Sequence, residues 1–428
     1  MVTVPGICMK TLAQIGAGNI GRSFIGQLFS RAGYEVVFID IADDLVNELN
    51  RKRCYTVEIR DRHSETIIVE NVRAVSANDR QAAAHEIARA DIAGTAVGPA
   101  ALRQVYPLLA CALQQRLRLG QGPLDLIICE NLRHAADAFR QGLAQQLPPA
   151  FPLEAMVGLV ETSIGKMVPI MTEQQRREDP LRVFAEAYNT LIVDAQGFKC
   201  GVPDVPGLEA KLNMAPYVDR KLLVHNLGHA LTAYLGYLLL PEATFIWEAV
   251  GDERVLRAAR AGMWESGRAL IAEYPDEFDR DNISRNIEDL LLRFANRALG
   301  DTIFRVGRDI RRKLCRGDRL IGALLLDAKH SVAAPYTAHG AAAAMLFRGR
   351  DEQGQLLPDD EHFAQDIYSR GPAHVLDVVC ELDHDRQPDP VIRSRILEAY
   401  EYITTARRDG RDWLSALLES APSCVREE

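Results

Sequence analysis

The stretch Ile15-Gly-Ala-Gly-Asn-Ile-Gly21 carries three glycines in the order G-x-G-x-x-G. The apolar run Thr11–Ile15 precedes it, and the segment Ile20–Arg31 that follows has the spacing of an amphipathic helix. A strand, a glycine turn and a helix in this order bind phosphates, because the unpaired N–H groups of a helix N-terminus attract anions. The stretch therefore predicts a Rossmann-type dinucleotide-binding domain at the start of the chain.

Each position of this loop has a predicted task. Gly16 permits the tight turn, Gly18 lets a pyrophosphate approach the backbone, and Gly21 lets the helix pack closely on the sheet. Asn19 and Ile20 lie at the helix N-terminus that would face the phosphates. We therefore expect all five residues to bind the cofactor.

Asp40 directly follows the second apolar run, Glu35–Ile39, and stands 24 positions after Gly16. A carboxylate there accepts hydrogen bonds from the adenosine ribose hydroxyls and repels an additional 2′-phosphate. Ile41 and Ala42 follow it, so no arginine is adjacent to receive that phosphate. The predicted cofactor is NAD rather than NADP.

The composition is that of a globular protein with 428 residues, enough for two or three domains. The 50 Lys+Arg and 59 Asp+Glu give a net charge of -9, which disfavours nucleic acid and acidic membranes as partners. The eight cysteines are scattered, with no Cys-x-x-Cys, and no apolar run is long enough for a membrane span. We expect reduced thiols and a cytoplasmic location.

The order of predicted elements divides the chain into two halves. Strand candidates alternate with helices in the first half, at Thr11–Ile15, Glu35–Ile39, Asp91–Val97, Leu124–Cys129 and Ala155–Val160. This alternation predicts an α/β domain with a mostly parallel sheet. From about Leu208 onward every segment has helical spacing and none is a convincing strand. We expect a Rossmann-type domain over residues 1–200 and a mostly α-helical substrate domain over residues 201–428.

Polar residues follow the apolar strand Leu126-Ile-Ile-Cys-Glu-Asn131. Ligands bind beyond the carboxyl ends of such strands, where Asn131 could donate an amide hydrogen to a reacting oxygen. The alternative is that Asn131 caps the next helix.

The segment Asp219-Arg-Lys-Leu-Leu-Val-His-Asn-Leu-Gly-His229 places polar side chains inside an apolar helical stretch. At about 100° per residue, His225 lies ~40°, His229 ~80° and Asn226 ~140° from Lys221 around the helix. These groups share a little over a third of the circumference. They form either a site or a set of satisfied core contacts, since a buried polar group needs a partner.

Three chemical interpretations of this face remain open from the residues alone. His225 and His229 have zinc-ligand spacing, but Asn226 stands where a metalloprotease has glutamate, and no third ligand is evident. Tyr217 and Lys221 have the Tyr-x-x-x-Lys spacing of short-chain dehydrogenases, which are shorter and use another glycine pattern. In the third interpretation Lys221 is a base, because desolvation or a nearby positive charge lowers a lysine pKa.

Motifs throughout the chain resemble, in the same order, the family of polyol-specific long-chain dehydrogenases and reductases. The motifs are Gly16-Ala-Gly-Asn-Ile-Gly-Arg-Ser-Phe-Ile-Gly26, Thr95-Ala-Val-Gly-Pro99, Cys129-Glu-Asn131, Val202-Pro-Asp-Val-Pro-Gly-Leu208, Lys221-x4-Asn226-x2-His229, Arg293-Phe-x-Asn296, Asp301, Arg305-Val-x-Arg308, Arg312-Lys-Leu314 and Gly317-Asp-Arg-Leu-Ile321. The resemblance covers both predicted domains.

The resemblance implies a metal-independent, NAD(P)-dependent enzyme. By the family pattern, Lys221 is the general base and acid, Asn131 and Asn226 polarise the developing oxyanion, and His229 binds and orients the substrate. The pattern also implies that Val97 contacts the cofactor and that Arg305 and Lys313 contact the substrate. Lys166, which stands where many relatives have another basic residue, is a further expected substrate residue.

Two positions depart from the family pattern. Many relatives have Val-Asp-Arg-Ile where this chain has Ile164-Gly-Lys-Met167, and some have glutamate at the position of Val218. An acidic substrate-side residue is thus absent. The basic pocket expected around Lys166, Lys221 and the two C-terminal cations suits an anionic substrate.

We expect reversible hydride transfer between NAD and an open-chain polyol, with mannitol 1-phosphate and fructose 6-phosphate as the favoured pair. A hexuronate reductase, an unphosphorylated mannitol or arabinitol dehydrogenase, and a non-enzymatic NAD-binding sensor remain alternatives. The expected partner is a small sugar or sugar phosphate, with no metal, nucleic acid or membrane. A monomer is the working expectation, although no sequence feature sets the oligomeric state.

Overall fold

The computed structural model describes residues 9–61, 64–169 and 171–420. The chain divides into two compact units, the first ending at Val218 and the second beginning at Asp219. This division lies later than the boundary predicted after Cys200. The reason is a strand at Leu208–Lys211, in the part predicted to lack strands, which pairs with Leu191–Asp194 and belongs to the first unit.

Strands of the first unit form a sheet of eight and a sheet of three. Those in the described residues are β1 (Thr11–Ile15), β2 (Glu35–Asp40), β3 (Tyr55–Ile59), β4 (Glu65–Val69), β5 (Val72–Ser76), β6 (Ile92–Thr95), β7 (Leu124–Ile128), β8 (Val157–Ile164), β9 (Val183–Ala185), β10 (Leu191–Asp194) and β11 (Leu208–Lys211). The larger sheet has the order β11-β10-β8-β7-β6-β1-β2-β5, and the smaller one has the order β4-β3-β9.

Neighbouring strands of the larger sheet are parallel except for β8 and β10. The strand order reverses at β1, which lies between β2 and β6, so the loops at its carboxyl end open the crevice where such sheets bind ligands. The predicted parallel α/β domain is confirmed, although the second sheet was not predicted.

Helices and short helical turns connect the strands of the first unit. They are the π-helical turn Gly21–Gly26, α1 (Gln27–Arg31), α2 (Asp43–Lys52), α3 (Arg80–Arg89), the turn Pro99–Ala101, α4 (Leu102–Arg118), α5 (Ala135–Ala144), α6 (Leu153–Met156), α7 (Glu173–Glu178), the turn Ala195–Gly197 and α8 (Ala215–Arg220), which contains the division between the units. Successive β1 residues point to opposite faces, so Leu12 joins one apolar core and Ala13 the other.

The second unit is helical in its described residues, apart from one isolated bridge between Phe245 and Thr302. Its elements are the π-helical turn Lys221–Asn226, α9 (Leu227–Leu239), α10 (Ile246–Gly251), α11 (Glu253–Glu273), α12 (Arg280–Phe294), the turn Arg297–Leu299, α13 (Ile303–Gly307), α14 (Ile310–Lys313), α15 (Ile321–Lys329), α16 (Pro335–Leu346), α17 (Pro358–His362), the π-helical turn Phe363–Ile367, the turn Tyr368–Arg370, α18 (Pro372–Val378), α19 (Asp389–Arg408) and α20 (Trp413–Ser420). The predicted helical second half is confirmed.

The thiols within the described ranges are unpaired, namely Cys54, Cys111, Cys129, Cys200, Cys315 and Cys380. Cys8 and Cys424 lie outside those ranges. A search of the helices in the same ranges found none with both the length and the apolar character of a bilayer span.

Two glycines of the first loop differ in the space around them, and this difference predicts their tolerance of a methyl group. A Cβ atom at Gly21 would lie 2.0 Å from the carbonyl oxygen of Gly16, whereas one at Gly18 would meet no atom within 4 Å. Because a backbone atom cannot yield easily, Gly21→Ala should lower the free energy of unfolding by about 2 kcal/mol or more. Gly18→Ala should change it by less than about 0.5 kcal/mol.

Denaturant unfolding of both variants beside the wild type measures this difference. Equal stability of the two variants would show that the close approach of Gly21 to Gly16 is not a constraint on the fold.

Candidate active site

The glycine loop leaves the carboxyl end of β1 in the geometry that dinucleotide binding requires. Gly16 has a φ of +93°, in the left-handed region that favours glycine, and its N–H donates to the carbonyl of Ile39 at 2.8 Å. A Cβ there would lie 2.5 Å from the carbonyl oxygen of Ala96. Gly18 is exposed and faces open space, so a pyrophosphate can approach its backbone.

The helix after the loop begins as predicted but continues in an unexpected form. Asn19 and Ile20 are its first helical residues, and a π-helical turn from Gly21 to Gly26 follows them. Buried Arg22 donates from Nε to the carbonyl of Ala17 at 2.7 Å and from Nη1 to that of Leu181 at 2.7 Å. Arg22 therefore supports the loop from the protein side and leaves the exposed Asn19 at its mouth.

Asp40 binds the glycine loop directly. Its Oδ2 accepts from the N–H of Ala17 at 2.7 Å, and its Oδ1 accepts from the N–H of Ala42 at 3.0 Å. These bonds fix a carboxylate beside the loop. The next two acids, Asp43 and Asp44, are exposed, so the local charge disfavours a 2′-phosphate.

A buried glutamate holds the neighbouring loop at the same sheet edge. The carboxylate of Glu130 accepts from the N–H of Val97 at 2.9 Å and from the N–H of Gly98 at 2.8 Å. Burial raises the pKa of Glu130, and these two bonds oppose that rise. Asn131 follows and is exposed; it does not cap α5, because the cap position of that helix is His134. The helix-cap alternative for Asn131 is therefore wrong.

The predicted substrate residue Lys166 binds protein acceptors in the first unit. Its side chain is buried, and Nζ donates to the carbonyl of Tyr188 at 2.7 Å, to Oδ1 of Asn189 at 2.9 Å and to the carbonyl of Glu186 at 3.2 Å. These bonds hold Lys166 inside the first unit, and its predicted role in substrate binding stays a prediction.

Lys221 opens a π-helical turn that ends at Asn226 and continues into α9. A π-helical turn accommodates about one more residue than an α-helical turn. Lys221 therefore lies roughly 20° from His229 around the axis, rather than the ~80° expected for a regular helix. The wider turn places the lysine and the histidine on nearly the same line of the helix.

Burial and a neighbouring cation lower the pKa of Lys221 to about 8, with loss of solvent the larger cause and the charge of Arg319 the second. Burial lowers the pKa of His225 well below its ordinary value, and burial followed by the charge of Arg305 lowers that of His229 to about 3. Both imidazoles are therefore neutral at neutral pH, whereas Lys221 can exchange a proton near pH 8.

Asp301 joins two of the predicted substrate residues. It is buried, with Oδ1 2.7 Å from Nη2 of Arg305 and Oδ2 3.6 Å from Nε2 of His229. The ring of His229 stacks on Phe294 at 4.7 Å between centroids and an angle of 8°. These contacts fix the imidazole in place.

Lys313 belongs to the same positive cluster. It is buried, and Nζ donates to the carbonyls of Val306 and Arg308. Burial, followed by the charge of Arg319, lowers its pKa to about 7. The second unit thus brings Lys221, His229, Arg305 and Lys313 into one electrostatic environment.

Four residues of these sites received no role from the sequence, namely Arg22, Glu130, Asp301 and Arg319. All four lie in the motifs quoted above, so the resemblance marked them as positions of interest. Their roles depend on contacts between segments far apart in the chain, which spacing along one helix cannot show.

The zinc interpretation of the two histidines gains no third ligand from the structure. The ring centroids of His225 and His229 are 6.5 Å apart, and His229 is stacked on Phe294. Within the described ranges, no three His, Cys, Asp or Glu side chains are grouped so that they could hold a metal ion.

Comparison with known proteins gives matches over both units. The sequence pattern of the mannitol dehydrogenase Rossmann domain matches residues 10–207, and that of the mannitol dehydrogenase C-terminal domain matches residues 213–387. A mannitol-1-phosphate 5-dehydrogenase of Brevibacillus brevis is 36% identical over 334 residues, which are 78% of this chain and 84% of that protein.

Two solved structures share the fold at low sequence identity. The mannitol 2-dehydrogenase of Pseudomonas fluorescens, in a ternary complex with NAD and D-mannitol, has a TM-score of 0.74 and 18% identity, over 97% of this chain and 95% of that one. A substrate-free D-sorbitol dehydrogenase has a TM-score of 0.76 and 16% identity, over 92% of this chain and 93% of that one. Matched in both of its units, the chain belongs to the mannitol dehydrogenase family.

Proposed function

We propose that the protein interconverts a polyol phosphate and a ketose phosphate with NAD, and that mannitol 1-phosphate and fructose 6-phosphate are the favoured pair. The observation that carries this proposal is the desolvated Lys221 in a positive cluster with His229, Arg305 and Lys313. The name of the Brevibacillus brevis relative supports the phosphorylated substrate. The unpaired thiols support a reducing, cytoplasmic location.

The first unit fits NAD. Open space at Gly18 admits the pyrophosphate, and the anchored carboxylate of Asp40 offers an acceptor to ribose hydroxyls while its charge disfavours a 2′-phosphate. Asn19 and Ile20 are the proposed phosphate contacts at the helix N-terminus, and Val97 is the proposed contact from the loop that Glu130 holds. When bound, NAD supplies the nicotinamide that accepts or returns the hydride.

Lys221 carries the proton transfer in this proposal. In the oxidation direction its neutral amine removes the hydroxyl proton of the substrate, and in the reduction direction its ammonium returns that proton. A pKa of about 8 suits both directions, because each form of the lysine is accessible near neutral pH.

Asn226 and His229 act on the substrate oxygens. Within the described residues, the amide of Asn226 makes no hydrogen bond to protein, so it can donate to the oxygen that becomes an alkoxide. Neutral His229, fixed by Phe294 and Asp301, can bind a neighbouring hydroxyl. Asn131 remains the proposed second donor to the reacting oxygen, a role typically worth about 10²–10³ in rate.

A substrate panel tests the function. With NADH, the purified protein should reduce fructose 6-phosphate with a kcat/KM at least about tenfold above that for free ketoses or keto-uronates, because the buried cations of the cluster favour a phosphate group. Absorbance of NADH at neutral pH is the measurement. Preference for a keto-uronate or a free ketose would replace the proposed substrate, and NADH binding without turnover on any of them would favour a sensor.

Replacement of the lysine tests the mechanism. Lys221→Met should lower kcat by at least about two orders of magnitude in both directions, because the proton has no acceptor or donor, while NADH affinity stays near that of the wild type. Lys329→Met, at an exposed lysine on α15, is the matched control and should retain full activity. A kcat within tenfold of the wild type in Lys221→Met would remove the lysine from the chemistry.

The pH dependence follows from the lowered pKa of Lys221. Because the neutral amine is the base, kcat/KM for oxidation should rise with pH and level off above a midpoint near pH 8. Because the ammonium is the acid, kcat/KM for reduction should fall above that midpoint. Initial rates from pH 6 to pH 10 measure both profiles. A midpoint above pH 10 in both directions would show that Lys221 is not desolvated.

A further inference from the structure

We infer that Arg319 is a further substrate-binding residue, whose guanidinium receives the phosphate of the sugar phosphate beside Lys221. The inference rests on the proposed function and assigns the substrate's charged group to one side chain. Arg319 lies in the segment between α14 and α15. The sequence of this segment gave no helical spacing, and no second residue at a characteristic distance, that would have predicted a site there.

The protein fixes the guanidinium of Arg319 through Nε and leaves its other two nitrogen atoms available to a ligand. The backbone N–H and Nε of Arg319 both donate to Oδ1 of Asp318 at 2.7 Å, and only 11% of the side chain is exposed. Within the described residues, Nη1 and Nη2 donate to no protein acceptor. A nearly buried arginine thus holds two nitrogen atoms ready for a ligand with several oxygens, and a guanidinium fork matches phosphate in geometry.

The segment that carries Arg319 packs near the π-helical turn of Lys221. A Cβ atom at Gly322, in the first turn of α15, would lie 3.5 Å from Cδ2 of Leu223. The charge of Arg319 also lowers the pKa of Lys221, His229 and Lys313 alike. Arg319 is therefore close enough to act electrostatically on the proposed base and on two of the groups assigned to the substrate.

The carboxylates of the cluster leave the outer nitrogen atoms of Arg319 available to an anion. Asp301 pairs with Arg305, Asp318 is shared between Arg319 and Arg312, and Asp309 also pairs with Arg312. Buried Lys313 donates only to backbone carbonyls among the described residues, and the charges of Asp309 and Asp360 act on it from nearby. Asp318 is the only carboxylate paired with Arg319 among the described residues, and it is bound through Nε. A phosphate monoester would supply negative charge to Nη1 and Nη2, whereas an uncharged hydroxyl group would not.

The test compares Arg319→Gln with Arg319→Lys by reduction of fructose 6-phosphate at pH 6.5, where Lys221 is protonated in every variant. Arg319→Gln should raise KM at least about tenfold and leave kcat within about threefold, because a charged hydrogen bond is lost from binding. The inhibition constant of inorganic phosphate should rise by a similar factor. Arg319→Lys keeps the charge but loses the fork, so its KM should rise less.

Arg311→Gln is the matched control, since it removes an exposed arginine of α14 and should leave KM and inhibition by phosphate unchanged. A fall in kcat at constant KM, or no change in either, would overturn the assignment of Arg319. If Arg319→Gln does not fold, Arg319→Lys decides the question: a KM equal to that of the wild type would overturn the assignment of Arg319.

Failure of the proposed function can be distinguished from failure of the Arg319 assignment, because it changes the substrate preference of the wild type. If the wild type reduces a free ketose or a keto-uronate instead of fructose 6-phosphate, inhibition of that reaction by inorganic phosphate still tests Arg319. Loss of that inhibition in Arg319→Gln would support the anion site, and undiminished inhibition would refute it.

Discussion

Desolvation of positive charge is the constraint on which the second unit depends. Lys221 and Lys313 are held in surroundings that lower their pKa, and Arg319 is nearly buried beside them. In water these side chains would stay charged at neutral pH and would attract an anion only weakly. Removed from water, each is more readily neutralised or more strongly drawn to an anion. The same burial that destabilises the charged lysine therefore makes it a base near neutral pH and makes its surroundings selective for a negative ligand.

The first unit uses buried or fixed carboxylates for a different purpose. Asp40 binds the N–H of Ala17 in the glycine loop, and Glu130 binds the N–H groups of Val97 and Gly98 in the next loop. In each case an acid at the end of a strand, or two residues beyond it, holds the backbone of a neighbouring loop. The crevice at the carboxyl edge of the sheet is thus shaped by side chains that follow from the strands, and loop positions do not depend on loop sequence alone.

Local sequence patterns predicted what local geometry determines. The glycine loop was predicted because strand, turn and helix are adjacent in the chain, and the face of Lys221 was predicted because polar residues recur inside an apolar helix. The π-helical turn was not predicted, because the same residues are compatible with an α-helical turn and packing decides between the two forms. The protein acceptors of Lys166 could not be predicted for a related reason, because a lysine after a strand has the same sequence whether it meets a substrate or the protein. Strand β11 is four residues long without alternating burial, so it gave no periodic signal.

The π-helical turn at Lys221 also has a consequence for how this sequence can change. Alignment of the lysine with His229 depends on one additional residue in a single turn. Loss of one residue between Lys221 and Asn226, with return to a regular α-helix, would leave seven residue steps to His229, and at about 100° per step these again end roughly 20° from the lysine. A return to a regular α-helix with the number of residues unchanged would instead rotate the lysine by about 100°, to about 80° from the histidine. The helical form of this turn therefore sets the alignment, so substitutions that shift it from the π-helical to the α-helical form displace the lysine even when they touch neither Lys221 nor His229.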